Sequence, residues 1–165
     1  MKMYVLQVHT GTEEDVQREL RRKGITSLVP AEERLIRSGG SWIQKRYKLI
    51  PGYVFVEIEY SDALYFSICQ LPTVVRVLKA DNRPAPLPES EERYIHLLGD
   101  RVIYPSIVRR QPDGSAKPLY GILRDLEAGS IQYDWHARRA TVDITLFGSP
   151  KRLKLSFRTS EDTAD

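Results

Sequence analysis

The spacing of apolar and polar residues predicts β-strands, most clearly in one segment of the chain. Residues 48–58 alternate, with Val54 and Val56 on one side and Tyr53 and Phe55 on the other. A repeat of two is the period of a β-strand, whose successive side chains point to opposite faces. We therefore predict that the two aromatic side chains lie on the face turned away from the core.

Further patterns in the first half predict three helices and three more extended segments. In chain order they are a strand at 3–8, a helix after 12, an extended segment at 25–37, a helix at 63–70, a strand at 74–78 and a helix at 89–98. Thr12 and Asp15 form a predicted capping box, and Ser61 or Asp62 caps the second helix. The order β-α-β-β-α-β-α is that of a split βαβ, ferredoxin-like domain. We place this first domain at residues 1–98.

Beyond residue 99, short alternating segments replace the helical pattern. Residues 142–146 and 151–157 read as strands with apolar inner faces, and the second of them leaves Arg152 and Lys154 pointing outward. About 50 residues of such strands cannot enclose a large core, so a small, partly closed β-barrel is expected. The sequence thus predicts an α+β chain with a linker at 99–108 and a barrel at 109–160.

Composition excludes several classes of protein. No apolar run approaches the roughly 20 residues of a membrane helix, so we expect a cytoplasmic protein. His9, His96 and His136 do not share a metal-ligand spacing, and glycine-rich phosphate loops are absent from the sequence. Cys69, the single cysteine, is interpreted as a buried thiol inside the second predicted helix. We therefore predict a protein that is not an enzyme and uses no metal or cofactor.

Positive charge is concentrated in the last third of the chain. The net formal charge is +3, yet residues 107–158 carry ten Lys or Arg against five Asp or Glu. Residues 1–106 are nearly balanced, with 15 basic and 14 acidic side chains. A locally basic domain favours phosphate-bearing partners.

Four short motifs occur in a fixed order along the first half. They are residues 4–8 (YVLQV), 10–11 (TG), 28–30 (LVP) and 49–57 (LIPGYVFVE). Together they resemble the amino-terminal domain of NusG-family transcription elongation factors. The resemblance implies that Tyr53 and Phe55 contact the clamp helices of RNA polymerase. It also implies that the second helix faces the polymerase gate loop with Leu64, Tyr65, Phe66 and Ser67.

The last third is similar to the KOW barrel that follows this domain in the family. Ile122 and Asp125 stand where the family has proline and glycine, which departs from the general factor. Residues 134–140 and 146–148 look most like LoaP and related specialised paralogues, which act as processive antiterminators on selected operons. The resemblance implies a monomer that binds RNA polymerase and, through its barrel, nascent RNA of a leader hairpin.

Cations and a turn aromatic in the barrel are the candidate RNA contacts, because cations bind phosphates and aromatic rings stack on unpaired bases. These residues are Arg124, Trp135, His136, Arg138, Arg139, Lys151, Arg152 and Lys154. Lys2, Arg18 and residues 45–48 are candidate contacts to upstream DNA.

Two other functions remain open at this stage. One is a general NusG-type elongation factor whose KOW domain binds a ribosomal or termination protein. The other is an RRM-like RNA-binding module that does not contact polymerase and stacks bases on Tyr53 and Phe55.

Overall fold

Residues 1–126 and 131–160 are described by the computed structural model, and this part of the chain contains thirteen strands and four helices. The strands are β1 (Lys2–Val8), β2 (Thr26–Leu28), β3 (Ala31–Ser38), β4 (Ser41–Lys48), β5 (Tyr53–Ile58), β6 (Val74–Val77), β7 (Lys79–Ala80), β8 (Arg83–Pro84), β9 (Ser106–Arg110), β10 (Ala116–Tyr120), β11 (Ile131–Asp134), β12 (Arg139–Leu146) and β13 (Ser149–Thr159). The helices are α1 (Glu13–Arg22), α2 (Asp62–Cys69), α3 (Glu89–Gly99) and α4 (Ile122–Asp125). The predicted mixture of helices and sheets is confirmed. Every described helix is too short or too polar to cross a bilayer.

The chain divides into two compact units. The first comprises Met1–Pro30 and Ile50–Ile95, and the second comprises Ala31–Leu49 and His96–Asp165. Residues 31–49, which the sequence analysis placed in the first domain, thus pack with the second unit. The predicted linker at 99–108 also contributes to that unit, since Ile103 is buried and β9 begins at Ser106.

A four-stranded antiparallel sheet of order β2-β5-β1-β6 is the centre of the first unit. Val16 and Leu20 of α1 and Ile68 of α2 pack in one apolar cluster with Leu6 and Val56 of the sheet. Val16 and Leu20 lie about one helical turn apart, so both are on the buried side of α1.

The opposite face of this sheet is also buried. Met3, Val5 and Phe55 alternate with the residues of the first cluster, and none of the three is more than 1% exposed. The Leu87 amide donates to the Met3 carbonyl at 2.7 Å, which fixes the segment before α3, and Leu87 and Ile95 are buried too. The prediction that Phe55 lies on an exposed face is therefore wrong, because that face of the sheet is buried as well.

The two predicted helix caps have different outcomes. The Ser61 hydroxyl accepts a hydrogen bond from the Leu64 amide at 3.1 Å, so the predicted Ser61 cap of α2 is confirmed. Thr12 makes no such side-chain bond; its hydroxyl instead donates to the His9 carbonyl at 2.5 Å. The capping box is wrong for this reason. Cys69 ends α2 in an exposed position, so the prediction of a buried thiol is also wrong.

A five-stranded sheet of order β10-β9-β13-β12-β11 forms most of the second unit. All neighbouring strands are antiparallel except β9 and β13, which are parallel. Four inward residues of β12 and β13 are at most 3% exposed, namely Val142, Ile144, Leu153 and Leu155. The two predicted strands are confirmed, and closure of the sheet into a barrel stays a prediction.

Strands β3 and β4 form a hairpin that is held to the β13 edge by side chains. Their turn contains Gly39 and Gly40, both at positive φ (58° and 81°), a conformation that glycine adopts without a Cβ clash. The Glu32 carboxylate, fully buried, accepts a hydrogen bond from the Ser156 amide at 2.8 Å. Arg34 donates to the Lys154 carbonyl at 3.3 Å. These side chains thereby satisfy backbone groups of β13 before β9 joins that edge at Phe157.

Candidate functional site

The predicted polymerase-binding residues differ widely in exposure. Phe55 is fully buried and Tyr53 is half-buried, so β5 presents little aromatic surface. On α2, Leu64 and Tyr65 pack against the core cluster. Phe66, by contrast, is 63% exposed. Of the six predicted docking residues, the structure places Phe66 where a partner can reach most of the ring.

A row of aromatic rings leads from the core to Phe66. Tyr4, Tyr60, Tyr65 and Phe66 have successive centroid distances of 5.7, 6.3 and 5.8 Å. A hydrogen bond with Cys69, together with burial, raises the pKa of Tyr65, and burial and the neighbouring Asp62 raise the pKa of Tyr60. Both phenols stay neutral near pH 7, so the row is an uncharged surface. Sequence reasoning missed Tyr60, whose position just before the α2 cap was the available signal.

Ser67, the last predicted residue of this surface, is engaged with α1. Its hydroxyl accepts a hydrogen bond from the Lys23 ammonium at 2.9 Å. Lys23 follows the last residue of α1, so this bond joins the end of one helix to the other. The bond places the Lys23 ammonium on the surface of α2 at Ser67.

Among the predicted RNA contacts, the cations of β13 lie on both faces of the strand. Lys154 stands opposite Thr141 and Arg152 opposite Asp143, and both basic side chains are exposed. The Arg152 guanidinium forms an ion pair with Asp143 at 3.2 Å. Lys151 stands opposite the buried Ile144 and shares its face. The structure therefore brings Arg152 and Lys154 together on the outward face, without Lys151.

The predicted turn between two strands is confirmed, and its tryptophan packs inward. Trp135 is half-buried and stacks on Tyr133 at 5.7 Å with an interplanar angle of 20°. It also meets Phe157 edge-on at 5.4 Å, and the Arg110 guanidinium lies 4.9 Å from its centroid. Burial raises the pKa of Tyr133. The ring that we predicted to stack on an RNA base is thus already in contact with three side chains.

The two arginines after this tryptophan stiffen the turn. Arg138 adopts a positive φ of 56° and its guanidinium donates to the Trp135 carbonyl. The Arg139 guanidinium donates to the carbonyls of Arg138 and Ala137 at 3.1 and 3.3 Å. His136 is exposed at the tip of the turn. These bonds occupy some of the N–H groups of each guanidinium and fix the position of its positive charge.

Arg124, the remaining predicted RNA contact, lies on the short helix α4. Its guanidinium is exposed and reaches the Leu119 carbonyl at 3.5 Å, beside the end of β10. It therefore lies beside β10, on one side of β9 in the sheet, whereas the cations of β12 and β13 lie on the other side of β9.

A tryptophan near the tip of the β3–β4 hairpin is a candidate contact residue that sequence reasoning missed. Trp42 is 57% exposed, stands opposite Arg37 and has that guanidinium 5.7 Å from its centroid. Lys45 and Arg46 follow on the same strand and are exposed. The signal was the Gly39-Gly40 turn, which places Trp42 close to the end of an exposed basic ribbon.

Comparisons with known proteins agree with this fold. The family model described as "Transcription termination factor nusG" matches residues 1–96. The NusG termination/antitermination protein of Buchnera aphidicola is 24% identical, covering 97% of this chain and 95% of its own length. That of Pasteurella multocida is 26% identical, covering 98% and 95%. A solved structure titled for domain interaction in Thermotoga maritima NusG has a TM-score of 0.55 at 20% identity, covering 94% of this chain and 93% of its own. The chain belongs to the NusG family of transcription termination and antitermination factors.

Proposed function

We propose that this chain is a specialised antitermination factor of the LoaP kind, which binds RNA polymerase through its first unit and nascent RNA through its second. The observation that carries the RNA-binding part is the outward basic charge of the second unit, which on β13 comes from Lys154 and from Arg152, the latter paired with Asp143. An exposed cationic surface attracts phosphates and binds them with a strong dependence on salt.

Polymerase docking is assigned to Phe66 and the aromatic row behind it. An aromatic side chain that is exposed in the free protein and buried in a complex is the usual centre of a binding interface. Phe66 has this exposure and rests edge-on against Tyr65. Phe55, in contrast, has no surface to offer while the first unit is folded.

Phe66→Ala is expected to weaken polymerase binding by about tenfold or more, because it deletes the central apolar side chain of the surface. The free energy of unfolding should change little, since the ring is 63% exposed. The measurement is titration of tagged full-length chain against core RNA polymerase from the source organism. Val75→Ala on β6 is the matched control, because Val75 is also half-exposed at 50% but lies outside the aromatic row. If Phe66→Ala and Val75→Ala both bind polymerase as tightly as the wild type does, docking through Phe66 is ruled out.

The RNA partner is tested by recovering RNA together with the protein. We expect one dominant leader RNA with the wild-type chain, and its recovery should fall by about tenfold with Arg152→Gln/Lys154→Gln while polymerase is still recovered. Lys79→Gln/Arg83→Gln in the first unit removes the same charge from two exposed positions and serves as control. RNA sequencing and a polymerase immunoblot on the same purified sample give the two readouts.

The outcome also separates the other candidate functions. Polymerase recovered with no selected RNA would point to a general NusG factor, a role that the full-length similarity to curated NusG proteins favours. An RRM-like module is disfavoured because Phe55 is fully buried and cannot stack on a base.

Upstream DNA is the third proposed contact and involves the β3–β4 hairpin. Arg37, Lys45 and Arg46 are exposed on this ribbon, and Trp42 lies near its tip. Arg18, also considered for DNA, already forms an ion pair with Asp15 on α1. The hairpin is therefore the better candidate of the two.

A further inference from the structure

The outward face of β9 and its two neighbouring strands carries cations and a tyrosine. In the register of this sheet, Tyr120 of β10 lies opposite Ile107 of β9, which lies opposite Arg158 of β13. The next row along β9 places Arg109 opposite Lys117. We call these five residues the β9 face. The rows span three strands, so the Cα atoms of Tyr120 and Arg158 are about 10 Å apart.

Exposure confirms that this face points to solvent. Tyr120 is 71% exposed, the largest fraction of any tyrosine among the described residues, and Arg109, Lys117 and Arg158 are exposed as well. Val108, which alternates with Ile107 and Arg109, is fully buried on the other side. The β9 face is therefore an outer surface of the second unit.

The charges of the β9 face are of one sign. Strands β9, β10 and β13 contain no acidic residue. In the turn between β9 and β10, Asp113 accepts hydrogen bonds from the Ser115 amide at 2.9 Å and hydroxyl at 2.6 Å, which lower the pKa of Asp113. On α4, Asp125 forms an ion pair with Arg101 at 2.7 Å. Both of these carboxylates thus already have partners outside the β9 face.

Two cations of this face oppose each other directly. Arg109 and Lys117 are a cross-strand pair, and like charges in that position destabilise a sheet. A bound polyanion would remove this repulsion by placing negative charge between them. Arg124 adds a further cation at the edge, since its guanidinium reaches the carbonyl of Leu119, the residue before Tyr120.

We infer that the β9 face binds single-stranded RNA, with Tyr120 stacking on an unpaired base and Arg109, Lys117 and Arg158 contacting phosphates. An exposed ring flanked by cations is the combination that binds single strands, because every base has a face on which an aromatic can stack. A duplex offers its phosphates but keeps its bases stacked, so Tyr120 would contribute little there. The inference rests on the proposed RNA-binding function of this unit and assigns it a particular surface.

The test is fluorescence anisotropy of the full-length chain with a short fluorescein-labelled single-stranded RNA that cannot pair with itself. Tyr120→Ala should weaken binding by about tenfold, whereas Tyr120→Phe keeps the ring and should bind as wild type. Arg109→Gln/Lys117→Gln should reduce the slope of log K against log salt by about 1.4, or about 0.7 for each phosphate that the variant no longer neutralises. Lys79→Gln/Arg83→Gln is the charge-matched control, and thermal melts confirm that each variant is folded.

The possible outcomes distinguish an error in the β9 face from an error in the proposed RNA-binding function. If the wild type binds and the β9-face variants bind equally well, while Arg152→Gln/Lys154→Gln weakens binding, the β9 face is wrong and RNA binding stands. If the annealed duplex binds as tightly as the single strand and Tyr120→Ala has no effect, stacking on Tyr120 is also refuted. If the wild type binds neither RNA, the β9 face as a general single-strand site is refuted, while recovery of one leader RNA with the purified chain still decides the proposed RNA-binding function.

Discussion

Phe55→Ala is expected to lower the free energy of unfolding of the first unit by about 3–5 kcal/mol, the usual loss when a large buried ring is removed. Phe55 is 0% exposed and stands between Val5 and Leu28 on the neighbouring strands. Alanine there leaves a cavity in the layer beneath the sheet, which the surrounding strands can fill only in part. Urea unfolding followed by circular dichroism measures the loss.

Phe66→Ala is the matched control for this effect, because it removes the same ring from a surface position. We expect it to change the free energy of unfolding by about 0.5 kcal/mol or less. The opposite ranking, with Phe55→Ala folded as stably as wild type but unable to bind polymerase, would return Phe55 to the docking surface. The two substitutions together separate an effect on folding from an effect on docking.

This distinction matters for any experiment built on the motif at 49–57. A variant that changes Tyr53 and Phe55 together is expected to destabilise the first unit, so a loss of polymerase binding would not distinguish a lost contact from unfolding. Phe66 avoids this ambiguity, since most of its ring is in solvent. Docking is best tested on the helix rather than on the strand that carries the family motif.

Local periodicity predicted the strands but not which of their faces are covered. The alternation at 48–58 placed Val54 and Phe55 on opposite faces correctly, and both are fully buried. A period of two reveals two faces, whereas their burial depends on distant segments such as that of Leu87, which bonds to Met3 of β1 and lies more than 30 residues beyond Phe55. Such distant packing leaves no trace in the local pattern.

Polar segments were the hardest to interpret from sequence. Strand β4 is almost entirely exposed, so it has no apolar side to reveal it, and only its pairing with β3 makes it a strand. Glu32 is fully buried, although glutamate side chains are almost always exposed unless they are paired. Its partner Ser156 is more than 120 residues away, which no spacing rule can identify.

The candidate RNA contacts show the same division. Outward positions for Arg152 and Lys154 followed from alternation along one strand and are confirmed. The β9 face was not predicted, because its rows combine residues of three strands, including the parallel pair β9–β13. Trp135 was placed correctly in a turn, but its contacts with Phe157 and Arg110 depend on the tertiary fold.

Glu32→Ala is expected to lower the free energy of unfolding of the second unit by about 3 kcal/mol, although it removes a charged group from the protein interior. Its oxygens accept hydrogen bonds from the Ser156 amide and the Arg34 guanidinium, whose side chain is only 14% exposed. Alanine leaves a buried amide and a mostly buried cation without this acceptor, and removing one partner of a buried pair costs far more than losing a surface interaction. Urea unfolding and hydrogen exchange at the Ser156 amide measure the effect.

Glu33→Ala is the matched control, because the same substitution one residue along removes an ion pair with Arg46 at 3.9 Å, and the Arg46 side chain is 54% exposed. Its loss should be below about 1 kcal/mol. Glu32→Gln keeps one acceptor oxygen without the charge and should fall between the two alanine variants. Faster exchange at Ser156 in Glu32→Ala alone would show that this side chain holds the β3–β4 hairpin to β13. Equal stability and exchange in both alanine variants would mean that the hairpin is held by its backbone bond from Glu33 to Ile103 instead.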